Sequence, residues 1–389
     1  MKKILSLLIA GLLLTSLVAC NDKTTTNDAE KNNETVVKDY IEDAAKTGKF
    51  EYELNDEGDY EITKYEPTTV AQVDLVLPHE ANGRDIVGIA DGVFKASTTI
   101  KSITIPATYE YIGDAAFADC DLLTAVILPE SITSIGASVF DGCDSLKTIT
   151  LSSKITEIPE FAFNNCKALT AINLANIKSI QRGAFANCSE LASVIVSNKI
   201  EYATKTAFAG CSKLVYNKDG GLCYLGDATN KNVLLVQPES LAINSCTVNA
   251  NTKVVADSAF LNCKDLKTIN LSPSIKVING TAFENCSELK YNVVENGCYL
   301  GNEANPCMVL IKLEMPNVED FTLDAATKII TATAFAEAIN LEDIGYDATQ
   351  AYWNAIIKAD KWNHKLALNI TCTDGLIELN SDGLVEVDN

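Results

Sequence analysis

The chain has 389 residues, a formal net charge of −21 and only two histidines. Its surplus of carboxylates excludes nucleic acid as a partner, since nothing here could neutralise a run of phosphates. Aromatic residues make up 7%, low for a compact enzyme but natural for a coil filled by Leu, Ile and Ala.

Residues 1–20 read MKKILSLLIAGLLLTSLVAC. Lys2 and Lys3 form a positive n-region, and Ile4 to Val18 an apolar stretch too short to span a bilayer comfortably, as in an export signal. The ending Leu17-Val18-Ala19-Cys20 resembles a bacterial lipobox. That resemblance implies cleavage after residue 19, lipidation of Cys20 and anchoring to the cell envelope; a plain signal peptide and a membrane anchor are the alternatives. Residues 20–49 read as a polar tether without apolar periodicity over most of their length.

Residues 50–93 read as an atypical first coil, a cap. Two alternating runs, Phe50 to Leu54 and Tyr60 to Tyr65, flank Asn55-Asp56-Glu57-Gly58-Asp59 and predict a hairpin. The acidic turn lacks the spacing of a calcium loop and reads as solvated. Val73 to Leu77 predicts a strand stopped by Pro78.

From Phe94 the text repeats. Phe94, Phe117, Phe140 and Phe163 are 23 residues apart, Phe185 follows after 22, and Phe208 after 23. Each unit reads A-F-x-x-C-x-x-L-x-x-I-x-L, commonly with Pro and then I-x-x-I-G. This period is that of a leucine-rich-repeat solenoid. In I-x-L both apolar residues point to one face of a short strand; the following stretch turns the chain, and A-F-x-x-C predicts a short helical turn on the convex side. One unit buries too little to fold alone, so stability is shared among stacked neighbours. The solenoid is assigned to residues 94–345.

Two unit starts are delayed. Phe260 follows Phe208 by 52 residues, and Phe335 follows Phe283 by 52. The two stretches align without a gap at an offset of 75, Cys223-Tyr224-Leu225-Gly226 on Cys298-Tyr299-Leu300-Gly301 and Asn230 on Asn305. Each predicts an inserted β-hairpin, within about 215–240 and 290–315. The first pairs Leu222–Leu225 with Val233–Val236, the second Cys298–Leu300 with Met308–Ile311. Both are expected to project from the same side, roughly 14 Å apart at about 4.8 Å per coil. They either bind, through Tyr224, Tyr299, Asn230 and Asn305, or only thicken the coil.

Cys120, Cys143, Cys166, Cys188, Cys211, Cys263 and Cys286 each lie three residues after a repeat phenylalanine. Ser97 and Ala338 fill the same slot, as packing permits and metal ligation would not. Stacked in-register side chains are about 4.8 Å apart, too far for a disulfide, so free packed thiols are expected and no metal or other cofactor is. Cys298 with Cys307, and less strongly Cys223 with Cys246, are candidate bridges.

Residues 346–389 read as a closing cap: Tyr352, Trp353, Ile356, Ile357 and Trp362 mark an amphipathic helix, Leu366 to Thr371 a strand and Thr373-Asp374-Gly375 a turn.

The recurring Ala116-Phe117, Cys120, Pro129, Ile135-Gly136 set resembles the BspA-like, treponemal-type leucine-rich repeats of bacterial surface proteins, as do the second hairpin and the Cys372-Thr373-Asp374-Gly375 tail. The resemblance implies a secreted or surface-attached protein that binds host matrix proteins, other cells or innate receptors, and it carries over no catalytic residue. The residues themselves hold no phosphate loop, nucleophile elbow or histidine beside a nucleophile, so an enzyme is not expected. The expected contact surface is the outward strand face, with Thr104, Ile127, Thr150, Asn173, Ile195 and Asn270 central. Two functions fit: an adhesion module for a protein or glycan ligand, or an envelope assembly protein binding only neighbouring bacterial molecules.

Overall fold

The computed structural model describes residues 40–42, 46–359, 362–364 and 366–381. The leader, Cys20 and the first part of the tether lie outside the described residues.

Each repeat makes two short parallel strands and one tight arc. The first strands (Ala125–Ile127, Thr148–Thr150, Ala171–Leu174, Ser193–Val196) bury their central Val126, Ile149, Ile172 and Val194 and expose the residues on either side. Thr148 faces Ala125 and Thr150 faces Ile127 in register, and Ala171 and Asn173 face Ser193 and Ile195 in the same way. The I-x-x-I-G stretch supplies the second strands, such as Glu157–Ile158, Ser179–Ile180 and Tyr202–Ala203, also parallel. Period-2 alternation therefore points one face inward and leaves the other bare, as half-buried strands require.

The arcs correct one expectation. Apart from a short 3₁₀ turn at Lys205–Phe208, the arcs described are not helical. Residues two before and two after the phenylalanine are left-handed: Ala115 and Asp119 around Phe117, Ser138 and Gly142 around Phe140, Phe161 and Asn165 around Phe163, with φ between 51° and 74°. A left-handed residue breaks the helical path, and Asp, Asn and Gly after the phenylalanine are the types that tolerate it. At Gly142 a Cβ would sit 2.4 Å from the Asp119 carboxylate, so a side chain there would have to displace that group.

Inside the arcs the phenylalanines form a stack. Ring centroids from Phe94 to Phe208 are 4.9–5.7 Å apart with interplanar angles of 5–12°. The repeat cysteines do more than fill space. The thiol of Cys120 donates to the Phe94 carbonyl at 3.1 Å, that of Cys143 to Phe117 at 3.1 Å, and that of Cys166 to Phe140 at 3.2 Å. Cys188, Cys211 and Cys286 repeat this bond toward the preceding coil. A small apolar side chain with a weak donor suits a buried slot facing a carbonyl.

Strands Gly48–Leu54 and Tyr60–Pro67 pair antiparallel, and Ile62 then faces Ile89 so that the hairpin continues the second-strand sheet. Asn55 Oδ1 accepts the backbone N–H groups of Glu57 and Asp59 at 3.0 and 2.9 Å, which explains the acidic turn without an ion. Tyr40–Glu42, within the stretch expected as tether, adds an edge strand to Gly48–Leu54. At the far end, helix Gln350–Ala355 and strands Leu368–Cys372 and Gly375–Leu379 close the coil. Trp353 and Trp362 pack edge to face at 5.8 Å.

The hairpins do not project. Their strands, Leu222–Leu225 with Leu234–Pro238 and Gly297–Asn302 with Asn305–Leu313, are built into the wall of the coil. Leu222 to Leu225 are all buried, and Leu234 and Leu235 pair parallel with Val254 and Val255. An unbroken apolar run is what a strand covered on both faces requires.

Candidate functional site: the strand face

The first strands display the outward pairs Ser102/Thr104, Ala125/Ile127, Thr148/Thr150, Ala171/Asn173, Ser193/Ile195, Ser245/Thr247 and Thr268/Asn270. None is charged, on a chain of net charge −21. Charge returns at the ends: Ser102 Oγ donates to Asp74 at 2.6 Å, and Asp320 faces Asp343 in register. The six residues expected on this face are all exposed, Ile127 by 71% and Ile195 by 40%. Thr247 and Ser245 were not anticipated. Cys246 and Val248 stand 23 residues before Ile269 and Leu271, the one available signal of their strand.

Between the two hairpins this face is concave. A trough of about 870 Å³ has Ser245, Thr247, Thr268 and Asn270 as its floor, with Gly220 of the first hairpin segment on one side and Asn292, Asn302, Glu303 and Pro306 of the second on the other. Asn302 Nδ2 donates to the Leu271 carbonyl at 3.1 Å and joins the second hairpin to the neighbouring coil. The trough thus presents hydroxyls and amides, with Lys290 and Glu303 as its charges. It is shaped to accept a neutral polar surface through hydrogen bonds.

The hairpin residues named as binding candidates are structural. Tyr224 and Tyr299 are fully buried, and each hydroxyl accepts one backbone N–H, from Asn249 and Asp324 respectively, at 3.1 Å. Burial raises both phenols to about 12. Both tyrosines are buried in the wall with their hydroxyls engaged, although Tyr299 lies beneath the lining of the trough. Asn230 Nδ2 donates to the Asn251 carbonyl at 2.9 Å and Asn305 Nδ2 to that of Ala326 at 2.8 Å, so each locks its loop to the next coil. Gly226 and Gly301 close those loops, because a Cβ on either would lie 2.0 Å from the Asn230 or Asn305 carbonyl.

The described cysteines are free thiols, so neither candidate bridge forms. Cys298 faces Lys312 across the hairpin while Leu300 faces Val309, which puts Cys307 five residues from Lys312 along the strand, about 16 Å at 3.3 Å per residue. Cys223 faces Gln237, and Cys246 faces Ile269 of the next coil. His79 is exposed and His364 Nε2 lies 2.5 Å from the Ala332 carbonyl.

Fold and face together define a leucine-rich-repeat solenoid with parallel strands, non-helical arcs and an uncharged exposed face. The family of BspA type Leucine rich repeat region matches residues 87–215 in six copies, and over those residues the chain is similar to that family. Among solved structures, the chain is similar to a T. pallidum leucine-rich repeat protein (21% identity, 64% of this chain and 91% of that one, TM-score 0.33). It is also similar to the pneumococcal vaccine antigen PcpA (16%, 82% and 90%, TM-score 0.37). A leucine-rich repeat protein from Bacteroides ovatus gives 16%, 83% and 98%, with a TM-score of 0.31. No curated protein matches the chain. Leucine-rich repeat proteins of this kind are generally protein-binding scaffolds rather than catalysts, and among the described residues no helix is long and apolar enough to cross a membrane.

Proposed function

We propose that this is an exported, surface-facing lipoprotein, held to the bacterial envelope through lipid on Cys20, that binds a protein partner and mediates adhesion or host interaction. The observation that carries the reading is the uncharged strand face on a strongly acidic chain. Such a face loses little on desolvation and repels neither sign of partner. Its centre is the trough between the hairpins, with Thr247 and Asn270 on the floor and Thr104, Ile127, Thr150, Asn173 and Ile195 extending the contact. It lacks the Trp, Tyr and Arg anchors of strong hot spots, so affinity comes from many modest contacts and suits an adhesin that acts in many copies.

The test is an array of extracellular matrix proteins and glycans probed with the wild-type protein and with Ile127→Glu and Thr247→Arg. The proposal expects a matrix-protein signal that falls at least about tenfold in both variants while melting temperature stays unchanged. Capture of envelope proteins alone in a pull-down from intact cells would replace adhesion with envelope assembly. Loss of surface labelling when Cys20→Ala is made, with the protein still exported, tests the anchor.

A further inference from the structure

The phenylalanine stack is interrupted at both insertions, since among the described residues no ring contact joins Phe208 to Phe260 or Phe283 to Phe335, and at the second interruption a cleft opens. From Phe94 onward each arc bonds to the next through its backbone: the Phe117 N–H donates to Val139 and that of Phe260 to Ala282, at 2.9 and 2.8 Å. Phe283 stacks on Phe260 at 5.3 Å, whereas Phe335 packs on Phe321 and Trp362 instead. The apolar interior divides here as well, with Phe283 and Leu289 in one cluster and Phe335 and Ala338 in another.

The equivalent seam after the first hairpin is held by the Lys205 N–H donating to the Asp257 carbonyl at 2.9 Å. At the offset of 75, Ala332 stands where Asp257 does. Its carbonyl is engaged by His364 of the closing cap. What ties this seam is a side chain, Thr333 Oγ1 donating to the Gly280 carbonyl at 3.3 Å.

The result is a cleft of about 810 Å³ on the arc side. Its walls are apolar, with Phe283, Leu289, Ile311, Leu313, Ala334 and Ala338 among the lining. Phe283, Cys286 and Leu289 are 7–8% exposed, where Phe163, Cys166 and Leu169 in the unbroken stack are fully buried. The volume is that of a small-molecule site rather than a packing defect. Glu284, Glu314 and Glu337 line it against one cation, Lys312, whose ammonium lies 5.3 Å from the centroid of the Tyr291 ring.

We propose that this cleft is a binding site for an amphiphilic organic cation, an apolar body with an ammonium head, distinct from the strand face and independent of the function proposed there. The apolar tail fills the space that the next phenylalanine would occupy in a regular stack. The three carboxylates hold the head, and the acidic surface of the chain adds to their field.

The test is calorimetric titration of the purified protein with decyltrimethylammonium and with decanoate, each below its micelle concentration. The expected result is one decyltrimethylammonium per chain, bound at least about tenfold tighter than decanoate, with the preference shrinking in 1 M salt. Glu284→Gln, Glu314→Gln and Glu337→Gln combined should remove the preference while leaving the tail's binding. Ala336→Trp, at an exposed lining position, should abolish binding of both; Glu337→Trp is the second blocking variant should the first misfold. Absence of saturable binding, equal or tighter binding of decanoate, or binding unaffected by a folded blocking variant would each overturn the proposal.

Discussion

The phenylalanine stack makes a quantitative claim about neighbours that can be tested within it. Phe163 is fully buried between Phe140 and Phe185, at centroid distances of 5.6 and 5.3 Å. Phe163→Leu keeps an apolar side chain of similar bulk but removes two ring contacts, about 0.5–1.5 kcal/mol each beyond burial, so about 1–3 kcal/mol in all. Phe163→Ala adds a cavity and is expected to cost about 3–5 kcal/mol. The sharper experiment is a pair of double-mutant cycles. Phe140→Leu and Phe163→Leu share one ring contact, so the double variant loses three contacts where independent losses would total four. Its destabilisation should therefore fall short of additivity by about 0.5–1.5 kcal/mol. Phe140→Leu and Phe185→Leu share none, since Phe163 stands between them, and should add. Equilibrium urea unfolding measures all of these. Equal coupling in the two cycles, or none in the adjacent pair, would refute the claim that nearest-neighbour stacking contributes to the coil.

Other consequences follow from the same interior. Burial raises the Cys120 thiol from 9.0 to about 12 and that of Cys286 to about 11. Because the unfolded chain gives up these protons first, their contribution to stability is complete below pH 9 and is lost as pH rises toward 11–12. Chemical denaturation at stepped alkaline pH should show that decline, and a thiol reagent at pH 8 should label these cysteines only after unfolding. Asn305→Ala removes the bond to Ala326 and is expected to cost about 1 kcal/mol, with faster amide exchange in the second hairpin and none added around Phe117. Trp353→Ala, opening the closing cap, should speed exchange through Asp343–Tyr346 and Leu368–Cys372 while Ala125–Ile127 stays protected, because stacked coils couple to neighbours alone.

Much of this architecture was legible because each strand's demand is periodic. In the cap hairpin the alternating runs Phe50 to Leu54 and Tyr60 to Tyr65 lie within strands Gly48–Leu54 and Tyr60–Pro67. The arcs were misjudged because a helix was inferred from a short A-F-x-x-C spacing, whereas Asp119, Asn165 and Asn187 after each phenylalanine already favoured left-handed backbone. The hairpins were expected to stand clear because an insertion looks like an addition. Their unbroken apolar runs, Leu222–Leu225 and Met308–Ile311, were the sign of strands with no free face. For the binding surface, alternation alone picked out Thr104 through Asn270. The trough depends on how two distant insertions flank one pair of strands, and no local pattern reports that. Nor could the open seam be read from two hairpin segments that align without a gap, since it turns on which partner takes the carbonyl of Ala332.

Under the anchoring proposed above, at one end of the chain, the thiol bonds have a mechanical meaning. Within the unbroken run from Phe94 to Phe208, each coil is tied to the one before by a modest bond from its own cysteine to a phenylalanine carbonyl, as Cys166 is to Phe140, and by a ring resting on a ring. Under tension such ties give way one rung at a time. Every released rung of 23 residues pays out about 75 Å of extended chain at 3.3 Å per residue. In the adhesion proposed above, a cell pulled by flow would be restrained by a line that lengthens in steps before it lets go.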